Sequence, residues 1–319
     1  MNIQLIERVK VCSTKVLNLT NVEEQLLKLK SKVEWLRIGD GNNAYFHASL
    51  KSRRRQAQIA NLKNKDGNIL YLQEEIDQEI VNYYQNLVGT ANMNLNSIDI
   101  IALRKGPQLS IEKRNALISL VREKEIFTSL KGIKDLSAPV LYKIISRIMA
   151  ARLGKVICSV IHNSQAAFVP GQNIHDHILL AYELMKGYNT KSGAPRCMLQ
   201  MDLQKAYDIV EWEALEIILK ELRFPHQFIS WIMITIKTVS YRFQVNGEHT
   251  QLLKSNRGLR QGGPLSPLLF VVVMKYINRV VQNLKSKPNF NFHAKCEKMA
   301  LINLNFADDL LLFTRAGFP

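Results

Sequence analysis

Cysteine is scarce: Cys12, Cys158, Cys197 and Cys296 are the only four in 319 residues, and no two form a Cys-x-x-Cys pair. That excludes a disulfide framework and a zinc ribbon, and leaves reduced intracellular thiols. Long hydrophobic runs are missing as well; none could span a bilayer. The first residues, Met1-Asn2-Ile3-Gln4-Leu5-Ile6-Glu7-Arg8, lack a signal-peptide core. No membrane partner is therefore expected. Acid is short: 27 Asp plus Glu face 43 Lys plus Arg, a formal net charge of +16. An excess of that size points to a polyanion such as nucleic acid, or to an anionic membrane surface. Aromatic content of 8% and hydrophobic content of 47% are those of an ordinary globular protein. The length suffices for one large core or two small ones.

What the chain does contain is a pair of adjacent carboxylates in an apolar setting. Phe306-Ala307-Asp308-Asp309 lies between the runs Leu301-Ile302-Asn303-Leu304-Asn305 and Leu310-Leu311-Leu312-Phe313. Read as strands, the runs form a hairpin with the acids at or beside a tight turn. Neighbouring carboxylates repel, and a hard divalent cation removes that cost. Mg²⁺ favours one or two carboxylates plus phosphate oxygens. A plain polar turn is the competing reading of the tetrapeptide.

Two upstream segments favour the metal. In Met201-Asp202-Leu203-Gln204-Lys205-Ala206-Tyr207-Asp208 the apolar lead Cys197-Met198-Leu199 puts Asp202 near a strand end, where it can meet the hairpin acids across a sheet. Asp202 and Asp308 are expected to face each other, with Asp309 next. Asp208, on the outgoing turn, is expected to cap a helix. The second segment runs from Arg257-Gly258-Leu259-Arg260-Gln261-Gly262-Gly263 through Pro264-Leu265-Ser266-Pro267. Its glycines allow a ligand close to the backbone. Its prolines and Ser266 predict a helix start, and Leu268 to Met274 a buried helix whose N-terminus lies near anionic substrate.

The three blocks Asp202…Tyr207, Gln261-Gly262-x-Pro264-Leu265-Ser266-Pro267 and Phe306-Ala307-Asp308-Asp309, in that order, resemble the reverse transcriptase of non-LTR, LINE-type retrotransposons, particularly those of plants. The resemblance extends to Gln165-Ala166-Ala167-Phe168-Val169-Pro170-Gly171-Gln172-Asn173-Ile174, to Leu141-Tyr142-Lys143-Ile144-Ile145-Ser146-Arg147, and to Trp35-Leu36-x-x-Gly39-Asp40-x-Asn42 with Tyr45-Phe46-His47. It implies an α+β fold: a partial right-hand polymerase of fingers and palm, preceded by a mostly helical segment over residues 1–98. Residues 99–319 would be the incomplete polymerase domain. The family's block between Pro139 and Val140 is missing, and so is a thumb. The implied function is RNA-directed DNA polymerase acting by two-metal nucleotidyl transfer. The alternatives are a decayed, non-catalytic nucleic-acid-binding remnant and, behind it, a maturase-like splicing factor.

By resemblance the metal ligands and catalytic acids are Asp202, Asp308 and Asp309, holding Mg²⁺, with Mn²⁺ the alternative. Tyr207 would stand beneath the sugar and reject a 2′-hydroxyl; core packing is its other reading. Gln261 and Gly262 would touch the nascent base pair. The partners implied are an RNA template, a DNA primer and deoxynucleoside triphosphates, in an intracellular, nuclear setting. Four cations in Lys51-Ser52-Arg53-Arg54-Arg55 suit phosphate contact. Arg257 and Arg260 could also contact phosphate, or simply be exposed. Lys143, Arg147, Arg152 and Lys155, on a helix read over Leu141 to Ile161, could reach the template backbone. Further helices are read over Gln73 to Leu87, from Ser110, over Glu123 to Leu130 and over Ile174 to Met185. Asp66-Gly67-Asn68 is read as a turn, Gly89 to Asp99 as a linker, and residues 240–253 as one hairpin turning at Asn246-Gly247.

Overall fold

The computed structural model describes residues 15, 18–19, 22, 51–52, 58–92, 98–131, 140–161, 165, 173–186, 188 and 195–315. The readings for Trp35 to His47, for Arg53, Arg54 and Arg55, for the Pro139 side of the missing block and for Phe168 to Gly171 lie outside these residues. In chain order the elements begin with β1 (Leu62–Lys63), β2 (Ile69–Leu70), α1 (Gln73–Tyr84) and a π-turn over Gln85–Gly89. Next come α2 (Ile100–Arg104), α3 (Ile111–Leu117), α4 (Glu123–Lys131), α5 (Val140–Ile157) and α6 (Ile174–Met185). Then follow β3 (Arg196–Asp202), α7 (Trp212–Glu221), α8 (His226–Lys237) and the short strands β4 (Ser240–Tyr241), β5 (Gln244–Val245), β6 (Glu248–His249) and β7 (Leu253–Lys254). The last are α9 (Ser266–Gln282), β8 (Asn303–Phe306) and β9 (Asp309–Arg315). The chain forms two compact units, Met1–Val81 with Arg242–Gln251, and Asn82–Tyr241 with Leu252–Pro319.

In the first unit β1 and β2 pair antiparallel around the expected turn, where Gly67 takes φ +90° and the Asn64 side-chain oxygen accepts from the N–H of Asp66 and of Asn68. Strands β5 and β6 turn at Asn246-Gly247, both with positive φ, as a two-residue hairpin turn of Asn-Gly type requires. The hairpin read over 240–253 is not one ladder. β4 pairs with β7 and β5 with β6; next to β5 and β6 the Thr250 N–H still donates to the Phe243 carbonyl, but the Phe243 N–H goes to the Thr250 hydroxyl in place of a backbone carbonyl.

The second unit is organised around α9. Its buried run Leu269, Phe270, Val271, Val272 and Met274 packs with Leu153 and Ile157 of α5, Leu215, Ile218 and Leu219 of α7, and Phe228 and Ile232 of α8. The helix opens at Ser266 with Pro267 in its first turn, as expected, but Ser266 does not cap it; its hydroxyl donates to the Arg260 carbonyl at 2.6 Å. Helix α3 is capped as read, the Ser110 hydroxyl accepting from the Lys113 N–H. A three-stranded antiparallel sheet in the order β3-β9-β8 forms the other layer. One face covers a smaller core of Ala181, Leu184, Cys296, Leu304 and Phe313. The run before the acids carries Asn303 and Asn305 into the interior, where Gln282 donates to Asn303 at 2.9 Å and Asn303 to Asn305 at 2.7 Å. These buried amides tie the hairpin strand to the end of α9.

The structure reassigns Arg152. It is buried, not directed to solvent: its guanidinium meets Glu125 at 3.0 and 2.9 Å and donates to the carbonyls of Leu117, Ser119 and Leu120. Its planar fork of five donors can close a loop and a helix start at once. Among the described residues no helix is long and apolar enough to cross a membrane.

Candidate active site

The acids converge through strand register. β3 ends on Asp202, and its pairing with β9 sets Asp202 opposite Asp309. Strand β8 pairs Phe306 with Asp309, so Ala307 and Asp308 form the two-residue turn. Asp309, not Asp308, is thus the cross-strand partner of Asp202. The expected order reverses because the turn takes Asp308 out of the ladder. Ala307 sits at φ +52°, a left-handed conformation that costs an alanine about 1–2 kcal/mol. That strain is held where the sheet places its acids. Asp202 is exposed and the hairpin acids are half-buried. The three carboxylates do not close into one three-ligand cluster; no such group occurs among the described residues. Adjacent acids on one chain diverge and repel. Two carboxylates in register still fit Mg²⁺, which takes one or two and completes its shell with water and phosphate oxygens.

The turn after Asp202 and the segment before α9 are laid together. Leu259 N–H donates to the Tyr207 carbonyl at 2.8 Å, Gly258 N–H to Val210 at 2.8 Å, and the Trp212 indole to Gly258 at 2.7 Å. Gly258 has φ +90°, and a Cβ there would lie 2.8 Å from the Asp208 carbonyl oxygen. The close approach that this glycine permits is to the protein's own chain, not to a ligand. Gly262 differs: at φ +77° nothing lies within 4 Å of a Cβ position, so its surface is open to a ligand.

Tyr207 stacks on Phe270 with ring centroids 4.8 Å apart. Burial raises the pKa of its hydroxyl, and the negative charge of Asp308 raises it further, so ring and carboxylate are electrostatic neighbours. Packing and placement beside the acids thus coincide in one residue. Gln261 is exposed, with its amide nitrogen 3.3 Å from each oxygen of Asp208. Asp208 therefore does not cap a helix; α7 begins after Glu211, which makes no side-chain capping bond. Burial raises the Asp208 pKa, opposed by Gln261 and by the charge of Lys205.

The cations divide. Arg257 pairs with Glu211 at 3.0 Å and donates to the carbonyls of Leu87 and Asn86, so it clamps the π-turn instead of standing free for phosphate. Arg260 lies 5.1 Å above the Tyr142 ring and is half-exposed; burial raises the phenol pKa, and the charge of Arg260 only partly opposes that rise. Lys205, unremarked in the sequence, stands 4.3 Å over the Tyr83 ring. No local pattern marked it; its partner is more than a hundred residues away.

Comparison with known proteins matches residues 136–317 to the family described as reverse transcriptase (RNA-dependent DNA polymerase). The chain is 27% identical over 201 residues to the transposon TX1 uncharacterized 149 kDa protein of Xenopus laevis, covering 63% of this chain and 15% of that one. It is 30% identical over 173 residues to the retrovirus-related Pol polyprotein from type-1 retrotransposable element R2 of Nasonia vitripennis, covering 54% and 16%. It thus spans only a small part of the length of either relative. Among solved structures, telomerase from Candida albicans, in complex with a fragment of telomeric RNA, aligns over 87% of this chain and 50% of its own, at 14% identity and a TM-score of 0.42.

Proposed function

The chain belongs to the reverse transcriptase (RNA-dependent DNA polymerase) family, and on that premise we propose that it is the polymerase domain of a plant LINE-type, non-LTR retrotransposon, copying RNA into DNA. The register of Asp202 against Asp309, with Asp308 one residue before, carries the reading. Asp202, Asp308 and Asp309 would hold Mg²⁺ or Mn²⁺. Held by these carboxylates, such an ion would lower the pKa of the primer hydroxyl and steady the leaving pyrophosphate. The other residues position. Tyr207, braced by Phe270, would screen the sugar edge for a 2′-hydroxyl. Gln261 and the open backbone at Gly262 take the nascent base pair. Arg260, with Arg53, Arg54 and Arg55, contacts phosphate of the RNA template, DNA primer or incoming deoxynucleoside triphosphate. Arg257 and Arg152 are withdrawn from that set. The site of action is nuclear, which imaging of a tagged chain would check.

RNA-templated primer extension tests the reading. Mg²⁺-dependent synthesis that disappears in Asp202→Asn and in Asp309→Asn supports it; synthesis that survives both variants overturns the metal assignment. One observation favours a second reading, a non-catalytic nucleic-acid-binding remnant: the three carboxylates do not close on a common point. Salt-sensitive binding of an RNA–DNA hybrid by the unaltered chain, with no extension at any metal concentration, would favour that reading.

A further inference from the structure

The strongest unassigned contact near the acids is between Asp208 and Gln261. Three hydrogen bonds already fix the backbones that carry them: Leu259 to Tyr207, Gly258 to Val210, and Trp212 to Gly258. The Gln261 amide nitrogen then sits 3.3 Å from both oxygens of the half-buried Asp208 carboxylate. An ionised carboxylate accepts hydrogen bonds and donates none. The amide edge that faces it must therefore be the NH₂ group, and the carbonyl oxygen Oε1 must point away. Without that partner an exposed glutamine presents either edge. Lys205 and Tyr241 also face the carboxylate, and neither takes the place of Gln261. The Lys205 ammonium lies over the Tyr83 ring, and Tyr241 interacts with the carboxylate through charge.

We infer that Asp208 is a positioning residue that holds Gln261 with its carbonyl oxygen outward, so that this side chain selects a hydrogen-bond donor, an N–H or O–H, on the nucleotide or its template partner. The inference rests on the polymerase reading for the identity of the ligand, but the orientation itself does not. A glutamine that could turn freely would accept from one substrate and donate to another, which gives no discrimination. A fixed acceptor leaves a ligand lacking the donor with an unpaired oxygen against it, and such a mismatch is costly once the bound ligand shields that oxygen from water.

Side-chain amide spectroscopy and nucleotide binding test it together. In a ¹⁵N-labelled chain the Gln261 NH₂ pair is identified by its loss in Gln261→Met. Asp208→Asn and Asp208→Ala should each shift that pair and speed its exchange with solvent, leaving other glutamine pairs and the melting temperature in place. An unchanged pair in both variants overturns the inference. Nucleotide affinity is then measured on the chain loaded with an RNA–DNA hybrid whose primer lacks a 3′-hydroxyl. If Asp208 acts through Gln261, Asp208→Asn and Gln261→Met weaken binding by similar factors, and the double variant is no weaker than either. Factors that multiply would overturn it. If the loaded, unaltered chain binds no nucleotide, the polymerase reading of this chain fails, while the spectroscopic result still decides whether Asp208 orients Gln261.

Discussion

Replacing Arg152 with Met should cost stability and leave nucleic-acid binding unaffected. The guanidinium is 5% exposed and Glu125 26% exposed, with two hydrogen bonds between them and three more to the carbonyls of Leu117, Ser119 and Leu120. Methionine fills the stem but strands one carboxylate and three carbonyls. A buried acceptor left without its donor costs about 1–3 kcal/mol, and breaking a buried ion pair about 3–5. Glu125 can regain water through its exposed quarter, and the loop carbonyls can relax outward, so about 3 kcal/mol is expected. At roughly 2–4 °C per kcal/mol for a unit of this size, the melting temperature should fall by about 6–12 °C. The binding assay separates this role from phosphate contact. Each phosphate neutralised by a cation adds about 0.7–0.9 to the slope of log affinity against log salt. Arg152→Met should leave that slope unchanged. A slope smaller by that amount, with little loss of melting temperature, would refute the clamp. Acid gives a second check. Arg152 beside it holds the Glu125 carboxyl at about 2, against an ordinary 4.5. A lowered folded-state pKa stabilises above the unfolded value, so this contribution should be lost as pH falls from about 4.5 to about 2, and Arg152→Met should flatten that part of the profile.

Lys275 lies 4% exposed in α9, and burial, aided by the charge of Arg279, pushes its pKa down to about 8 from 10.5. The unfolded chain then binds more protons between those values, so stability should rise with pH from about 8 to 10.5; Lys275→Met should remove the rise and stabilise the protein by up to about 3 kcal/mol at neutral pH, as chemical denaturation would report. Gly258→Ala should cost more than about 2 kcal/mol, because φ is +90° and the new methyl would meet the Asp208 carbonyl at 2.8 Å; a neutral effect would dissociate that contact from folding. If the unaltered chain polymerises, Tyr207→Ala should raise its use of ribonucleotides against deoxynucleotides while Tyr207→Phe retains the discrimination, since the ring on Phe270 supplies the bulk and the hydroxyl does not.

The strand readings at Asp202 and at the hairpin acids hold because alternation and turn chemistry are local: apolar runs on both sides of Ala307-Asp308 dictate two strands and a tight turn. The buried helix after Pro267 was equally legible, since a run such as Leu268-Leu269-Phe270-Val271-Val272 has no polar face to show to water. Family order was legible too, carried by three short blocks. Register was not. Which acid stands opposite Asp202 depends on how many residues the turn removes from the ladder, and a shift of one residue moves every pairing. The fate of the cations was likewise beyond the sequence. Arg152, Arg257 and Arg260 look alike in a string of residues, yet one is buried against Glu125, one clamps a π-turn through Glu211, and one stays half-exposed over Tyr142. A guanidinium binds whichever carboxylates and carbonyls the fold brings within reach, and those partners come from distant parts of the chain. For the same reason Asp208 reads as a helix cap in sequence and becomes the partner of Gln261 only once two separate segments are hydrogen-bonded side by side.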